Sequence, residues 1–234
     1  MTTPTLDPVK STLLQAIVPH VAFDGWSQTA FDAAVGDSGL DAGVARAACP
    51  RGAVDLAVLF HEEGNRAMVA SLAETDLTDM RFRDKIATAI RLRLAVVGDK
   101  EVVRRGTTLF ALPHMAPIGA GLIWGTADAI WTTLGDTSRD INWYTKRATL
   151  SAVYGSVVLF WLGDQSADGV ATDEFIDRRI ENVMQFEKAK AQARDNPLLR
   201  PVLGPLGRLF GQVHAPDHTA PNDLPGRWAP QDEV

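Results

Sequence analysis

A single cysteine, Cys49, stands in 234 residues, so an intramolecular disulfide framework is excluded. It precedes Pro50 with no CxxC partner and reads as a small buried residue rather than a metal ligand. Alternating apolar runs bounded by Asn-Gly or Asp-Gly turns are missing, which removes the usual signal for β-hairpins. Cations are outnumbered, and the net charge of −6 gives no general attraction to nucleic acid or anionic lipid. The opening MTTPTLDPVK has neither the apolar core of a secretion signal nor the Arg-rich amphipathy of a transit peptide. Long uncharged runs are scarce too. The one from Gly106 to Ala127 approaches the ~20 residues of a spanning helix, but Pro113, His114 and Pro117 interrupt it. LPHMAP therefore reads as a break between two shorter, buried helices.

Catalytic signatures are also wanting. His61 begins HEEGN, which lacks the second histidine of a zinc helix and reads as an exposed helix face. His20, His114, His214 and His218 are scattered, and no nucleophile elbow or phosphate-binding glycine loop is present. GAGLIWG follows no strand, so a dinucleotide site fails. Asp173, Glu174, Asp177 and Glu181 alternate with Arg178 and Arg179 as a solvated, salt-bridged face. No catalytic residue, metal ligand or cofactor is assigned.

What is present is helical period, and it predicts an all-α protein of about nine or ten helices. Leu13, Leu14, Ile17, Val18 and Val21 mark one face of a helix over 9–23. Ser27 caps a second helix and Asp41 a third, which Pro50 stops. A fourth runs over 52–72. Asp79 opens a fifth, with Phe82, Ile86, Ile90 and Leu94 at four-residue steps and Arg81, Arg83, Lys85, Arg91 and Arg93 as its basic face. Helices over 102–112 and 118–134 follow, then one opened by DTSRDINWYTKR (136–147) and lasting to about Leu162. Asp-Thr-Ser is expected to cap that helix, and Thr172 the next.

Two features bear on function. Trp124 and Trp131, with Leu150, Tyr154, Val157 and Trp161 on a later stripe, make an apolar centre next to many Gly and Ala. Such a centre can be a filled core or a cavity for a long apolar ligand, and the pattern leaves both open. NPLLRPVLGPLGRLFG, over 196–211, places Leu198, Leu199, Val202, Leu203, Leu206, Leu209 and Phe210 with only Arg200 and Arg208 as charges. It reads either as an amphipathic segment in a membrane interface or as a strap on the protein's own surface. Beyond it, 212–234 is Pro-rich and expected to be disordered.

The first 72 residues, read through WSQTAFDAAVGDSGLDAGVARAACPRGAVDLAVLFHEE, resemble the helix-turn-helix domain of TetR-type repressors in rhythm. Four cations (Lys10, Arg46, Arg51, Arg66) face eight acids across that stretch, and Arg46 is the third helix's only one. A DNA reader needs the opposite balance, so the motif is expected to be architecture without DNA binding. A ligand-responsive transcriptional regulator of the TetR type is the alternative.

DTSRDINWYTKR, the following ATLSAVYGSVVLFWLGDQS and FIDRRIENV together resemble the ubiquinone biosynthesis accessory proteins of the ninth COQ family, from about Leu13 to Phe186. That resemblance implies a TetR-like homodimer that binds no DNA, with helix-turn-helix-like helices over 9–72 and a lipid-binding, dimerising domain over 73–192. It implies a non-enzymatic partner that presents a polyprenylated quinone intermediate to a membrane-associated hydroxylase, with isoprenoid lipid as ligand. Carried onto this chain, the partner-facing patch is Asp140, Asn142, Trp143, Tyr144, Lys146 and Arg147. The lipid-lining set is Phe110, Met115, Ile118, Leu122, Trp124, Trp131, Leu150, Tyr154, Val157 and Trp161. The membrane-binding set is Leu198, Leu199, Leu203, Leu206, Leu209 and Phe210. The absence of a transit peptide points to a bacterial member, in the cytoplasm and peripheral on the inner membrane. A surface patch would let Trp143→Ala keep the fold intact, although Trp143 shares a helical stripe with Leu150, Val157 and Trp161.

Overall fold

The computed structural model describes residues 8–195 and 215–216. Among them are nine α-helices, one short 3-10 turn and no strand. The predicted membrane-binding set and the 212–214 and 217–234 portions of the tail lie outside the described residues.

α1 (Pro8–Asp24) opens the chain's described part, and α2 (Gln28–Ser38) and α3 (Ala42–Ala48) form where their capping residues place them. The Ala30 N–H donates to Ser27 Oγ at 3.2 Å, and the Gly43 and Val44 N–H groups donate to Asp41 Oδ1 at 2.8 and 3.1 Å. Leu13, Ile17 and Val21 of α1 meet Phe31 and Ala34 of α2, Ala45 of α3 and buried Cys49 in a first core. α4 (Ala53–Glu74) runs through both halves of the molecule. Its Leu56 and Leu59 belong to the first core, and its Met68 and Leu72 to a second.

The second core gathers α5 (Phe82–Ala95), α7 (Ala116–Thr133), α8 (Ile141–Gly163) and α9 (Val170–Asp195). α6 (Lys100–Phe110) leans back on the first core through Val102. LPHMAP is the break between α6 and α7, and among the described residues no helix is long and apolar enough to cross a membrane.

Three expected starts move. α5 begins at Phe82 rather than at Asp79, because Leu77–Met80 closes its own turn through the Met80 N–H and Leu77 carbonyl. α8 is capped by Asp140, whose Oδ1 takes the Asn142 N–H at 3.0 Å, and not by Asp136. α9 begins at Val170, so Thr172 is inside its first turn and buried, donating its hydroxyl to Asp164 Oδ2. Asp164 thus ties the end of α8 to the start of α9. The acidic face of α9 is also paired differently from the expectation. Arg91 of α5 bridges Asp173 and Asp177 at 2.9 and 2.8 Å, and Arg83 reaches Glu181 at 3.0 Å. The outward arginines of α5 are therefore engaged by a neighbouring helix.

Candidate functional site

α4, α5, α6, α7 and α8 enclose a cavity of about 490 Å³. Its walls are Ala57 and Phe60 of α4, Leu94 of α5, Val103 of α6, Leu122 and Ile123 of α7, and Val158 of α8, among others. The space exists because small residues stand where helices approach. A Cβ on Gly119 would sit 2.8 Å from Phe110 Cβ, so only glycine lets α7 pass the end of α6 at this distance. The volume falls within the roughly 300–1,000 Å³ typical of small-molecule sites. An apolar centre that the sequence pattern left open, filled or hollow, is hollow here.

Of the ten residues assigned to a lipid site, Phe110, Leu122, Tyr154 and Trp161 line this cavity. The other six do not. Leu150 and Val157 are buried in the second core, because the stripe seven residues apart on α8 faces the other helices. The cavity instead takes the adjoining stripe of Tyr154, Gly155, Val158 and Leu159. Trp124 packs on Trp143 and Tyr144, with ring centroids 5.8 and 6.4 Å away. Trp131 faces Phe82 at 5.3 Å and donates its indole N–H to the Lys146 carbonyl. Met115 precedes α7 at its N-terminus, and Ile118 is partly buried in its first turn.

The closed end of the cavity is polar. His61 is not the exposed residue that HEEGN suggested: its Nε2 lies 3.0 Å from the Leu122 carbonyl and 2.9 Å from Thr126 Oγ1. Thr126 Oγ1 in turn donates to Asn65 Oδ1 at 2.9 Å. Arg93, grouped by sequence with the basic face of α5, points inward and is 3% exposed. Its Nε donates to Asn65 Oδ1 at 2.8 Å and its Nη2 to the His61 carbonyl at 3.2 Å. A Cβ on Gly64 would lie 2.7 Å from this guanidinium, so glycine there is what admits the arginine. A sequence signal for both residues existed. Ala57, His61, Asn65, Met68 and Leu72 follow a helical stripe, and Arg93 falls three residues past Ile90.

Burial, and after it the charge of Arg93, pulls the His61 ring down to about 4 from its ordinary 6.5. The ring is neutral at pH 7, and Nε2 is its donor, since the Leu122 carbonyl can only accept. With the folded value depressed, the stabilisation is complete above pH 6.5 and declines as pH falls through that value. At pH 4 up to about 3 kcal/mol is lost. Urea midpoints measured from pH 7 to pH 4 should therefore fall more steeply for the wild type than for His61→Gln. Parallel curves would mean that the ring is solvated.

DTSRDINWYTKR forms a second constellation, at the α7–α8 turn. Arg147, 2% exposed, donates from Nη1 to Asp136 Oδ2 at 2.9 Å and from Nε to Asp128 Oδ1 at 2.5 Å. Lys146 Nζ reaches Asp136 Oδ1 at 2.7 Å. Burial alone would raise the Asp136 carboxyl. Hydrogen bonds from Lys146, Arg147 and Ser138 outweigh it and hold the acid well below the usual carboxylate range. The Arg147 guanidinium lies 4.1 Å over the Trp143 ring, which meets Tyr144 edge-on at 4.7 Å. Of the six patch residues, Asp140 and Asn142 are exposed and Tyr144 and Lys146 half-buried, whereas Trp143 and Arg147 are buried beneath them. Lys146 also lies 5.0 Å over Trp131, so the surface continues toward that indole and half-exposed Phe82. Among the described residues, no group of three or more His, Cys, Asp or Glu converges as metal ligands would.

Residues 116–187, from α7 into α9, match the COQ9 family model. The human mitochondrial ubiquinone biosynthesis protein COQ9 is 31% identical over 133 residues, 57% of this chain and 41% of that protein. Its Drosophila melanogaster counterpart is 28% identical over 192 residues, 80% of this chain and 59% of that protein. The chain thus spans less than two thirds of these relatives. A TetR transcriptional regulator from Nitrosomonas europaea superposes with a TM-score of 0.61 at 17% identity, covering 75% of this chain and 97% of that one. The fold is TetR-like, and the sequence resembles the COQ9 proteins.

Proposed function

We propose that this chain, COQ9-like in sequence and TetR-like in fold, serves ubiquinone biosynthesis as a lipid-binding accessory protein. It shelters a polyprenylated quinone intermediate and presents it to a membrane-associated hydroxylase. The observation that carries the proposal is the 490 Å³ apolar-walled cavity between α4 and α8, a volume in the range of small-molecule sites. The chemistry belongs to the partner, and the chain uses a bound lipid rather than a cofactor of its own. The accessible members of the patch, exposed Asp140 and Asn142 and half-buried Tyr144 and Lys146, meet the hydroxylase. The protein acts as a homodimer at the cytoplasmic face of a bacterial inner membrane, while the named relatives are mitochondrial.

Native mass spectrometry with lipid extraction tests this directly. Purified wild type should carry isoprenoid or quinone lipid. Gly155→Phe, which places a ring in the cavity, should reduce that load by about tenfold or more. Wild type that carries no apolar ligand, and takes up none from vesicles, would sink the proposal.

A ligand-responsive regulator is favoured by the TetR-like fold alone. Against it stands the exposed face of α3, where Ala42, Gly43, Val44 and Ala47 accompany a single cation, Arg46. Salt-sensitive binding to one DNA sequence would establish it.

A further inference from the structure

Two arginines among the described residues are almost fully buried, and they are treated differently. Arg147 has two carboxylates, Asp128 and Asp136. Arg93 has an amide oxygen, that of Asn65, and the His61 peptide carbonyl, both uncharged. No carboxylate pairs with it among the described residues. A buried guanidinium is costly unless charge or strong acceptors compensate its lost hydration. Arg93 nevertheless lines an otherwise apolar cavity, with Tyr154 and His61 beside it.

We propose that the closed end of this cavity is a head-group site, in which Arg93, flanked by Tyr154 and His61, binds an electron-rich oxygen of an amphipathic ligand. The chemical class is a carbonyl, phenolate or carboxylate on an apolar tail. This deepens the lipid-binding reading and rests on it. Binding is head-in: Arg93, Tyr154, Leu94 and Ala57 at this end are buried, whereas Ala111, Ala120 and Leu159 at the other are exposed. Leu159 is 63% exposed, an apolar rim over which the tail leaves. Neutral His61 and the Tyr154 phenol, which burial holds protonated, add no negative charge to repel an anionic head.

Calorimetric titration of delipidated wild-type protein with three probes tests the site: 2-farnesyl-1,4-benzoquinone, palmitate and farnesylbenzene, the last a similar tail without oxygen. At least one oxygen-bearing probe should bind about tenfold or more tightly than farnesylbenzene, as expected for a charge-assisted hydrogen bond. A tighter quinone assigns the head as a neutral carbonyl, and a tighter palmitate as a carboxylate. Arg93→Met should remove the preference and keep farnesylbenzene binding, while Arg93→Lys retains part of it. Because Arg93 also braces Asn65 and α4, the wild-type comparison decides even if Arg93→Met fails to fold. Equal affinity for all three probes overturns the head-group site alone. No binding of any probe overturns the lipid reading with it.

Discussion

Asp136→Ala should lower stability by about 3–5 kcal/mol, the largest effect expected of any single polar substitution in this chain. The carboxylate is itself almost fully buried and takes one bond from Arg147 Nη1 and another from Lys146. Removing it leaves the guanidinium of Arg147 in the interior with Asp128 as its one remaining carboxylate, and leaves Lys146 with the Ser138 hydroxyl but no counter-charge. In a chain of 234 residues this corresponds to a fall in Tm of roughly 10 °C. Asp136→Ala combined with Arg147→Met should recover much of the loss, because a buried pair replaced as a whole costs far less than one half removed. Thermal or urea denaturation of the three variants gives the coupling. A loss below about 1 kcal/mol for Asp136→Ala would show that water reaches the site and screens it.

Trp143→Ala is the second large effect, at about 3–5 kcal/mol. A surface hot spot would tolerate the change, but Trp143 is 8% exposed and lies under Arg147, against Tyr144 and beside Trp124. Truncation removes three ring contacts and unroofs the buried guanidinium. Any loss of partner binding in this variant is then a consequence of a loosened α7–α8 corner. Asn142→Ala, exposed at the first turn of α8, separates the two effects: it should keep the Tm within a degree or two while altering partner affinity. A Trp143→Ala protein with wild-type Tm would restore the indole to the surface.

Local chemistry legible in the sequence settled much of the fold. Ser27 and Asp41 are caps because a short oxygen-bearing side chain before an apolar period satisfies the orphan N–H groups of the next turn. LPHMAP separates α6 from α7 because Pro113 brings no N–H to continue the first helix, while Pro117 fits the first turn of the second. Period alone also marked α8 as central. It could not place one stripe of α8 against the core and its neighbour against a cavity, since Val157 and Val158 differ only in what other helices bring to them.

Net charge, capping residues and helical period are properties of the chain taken a few residues at a time, and by itself the sequence determined those: an all-α protein, the order of its helices, and a resemblance centred on DTSRDINWYTKR. Long-range pairing was decided only by the tertiary structure. His61 meets Thr126 across 65 residues, and Arg93 meets Asn65 across 28. Asp136, expected to cap a helix, became the counter-charge of Arg147 instead. A charged or polar side chain takes its role from the nearest partner after collapse, and that partner is set by helix packing rather than by neighbours in sequence.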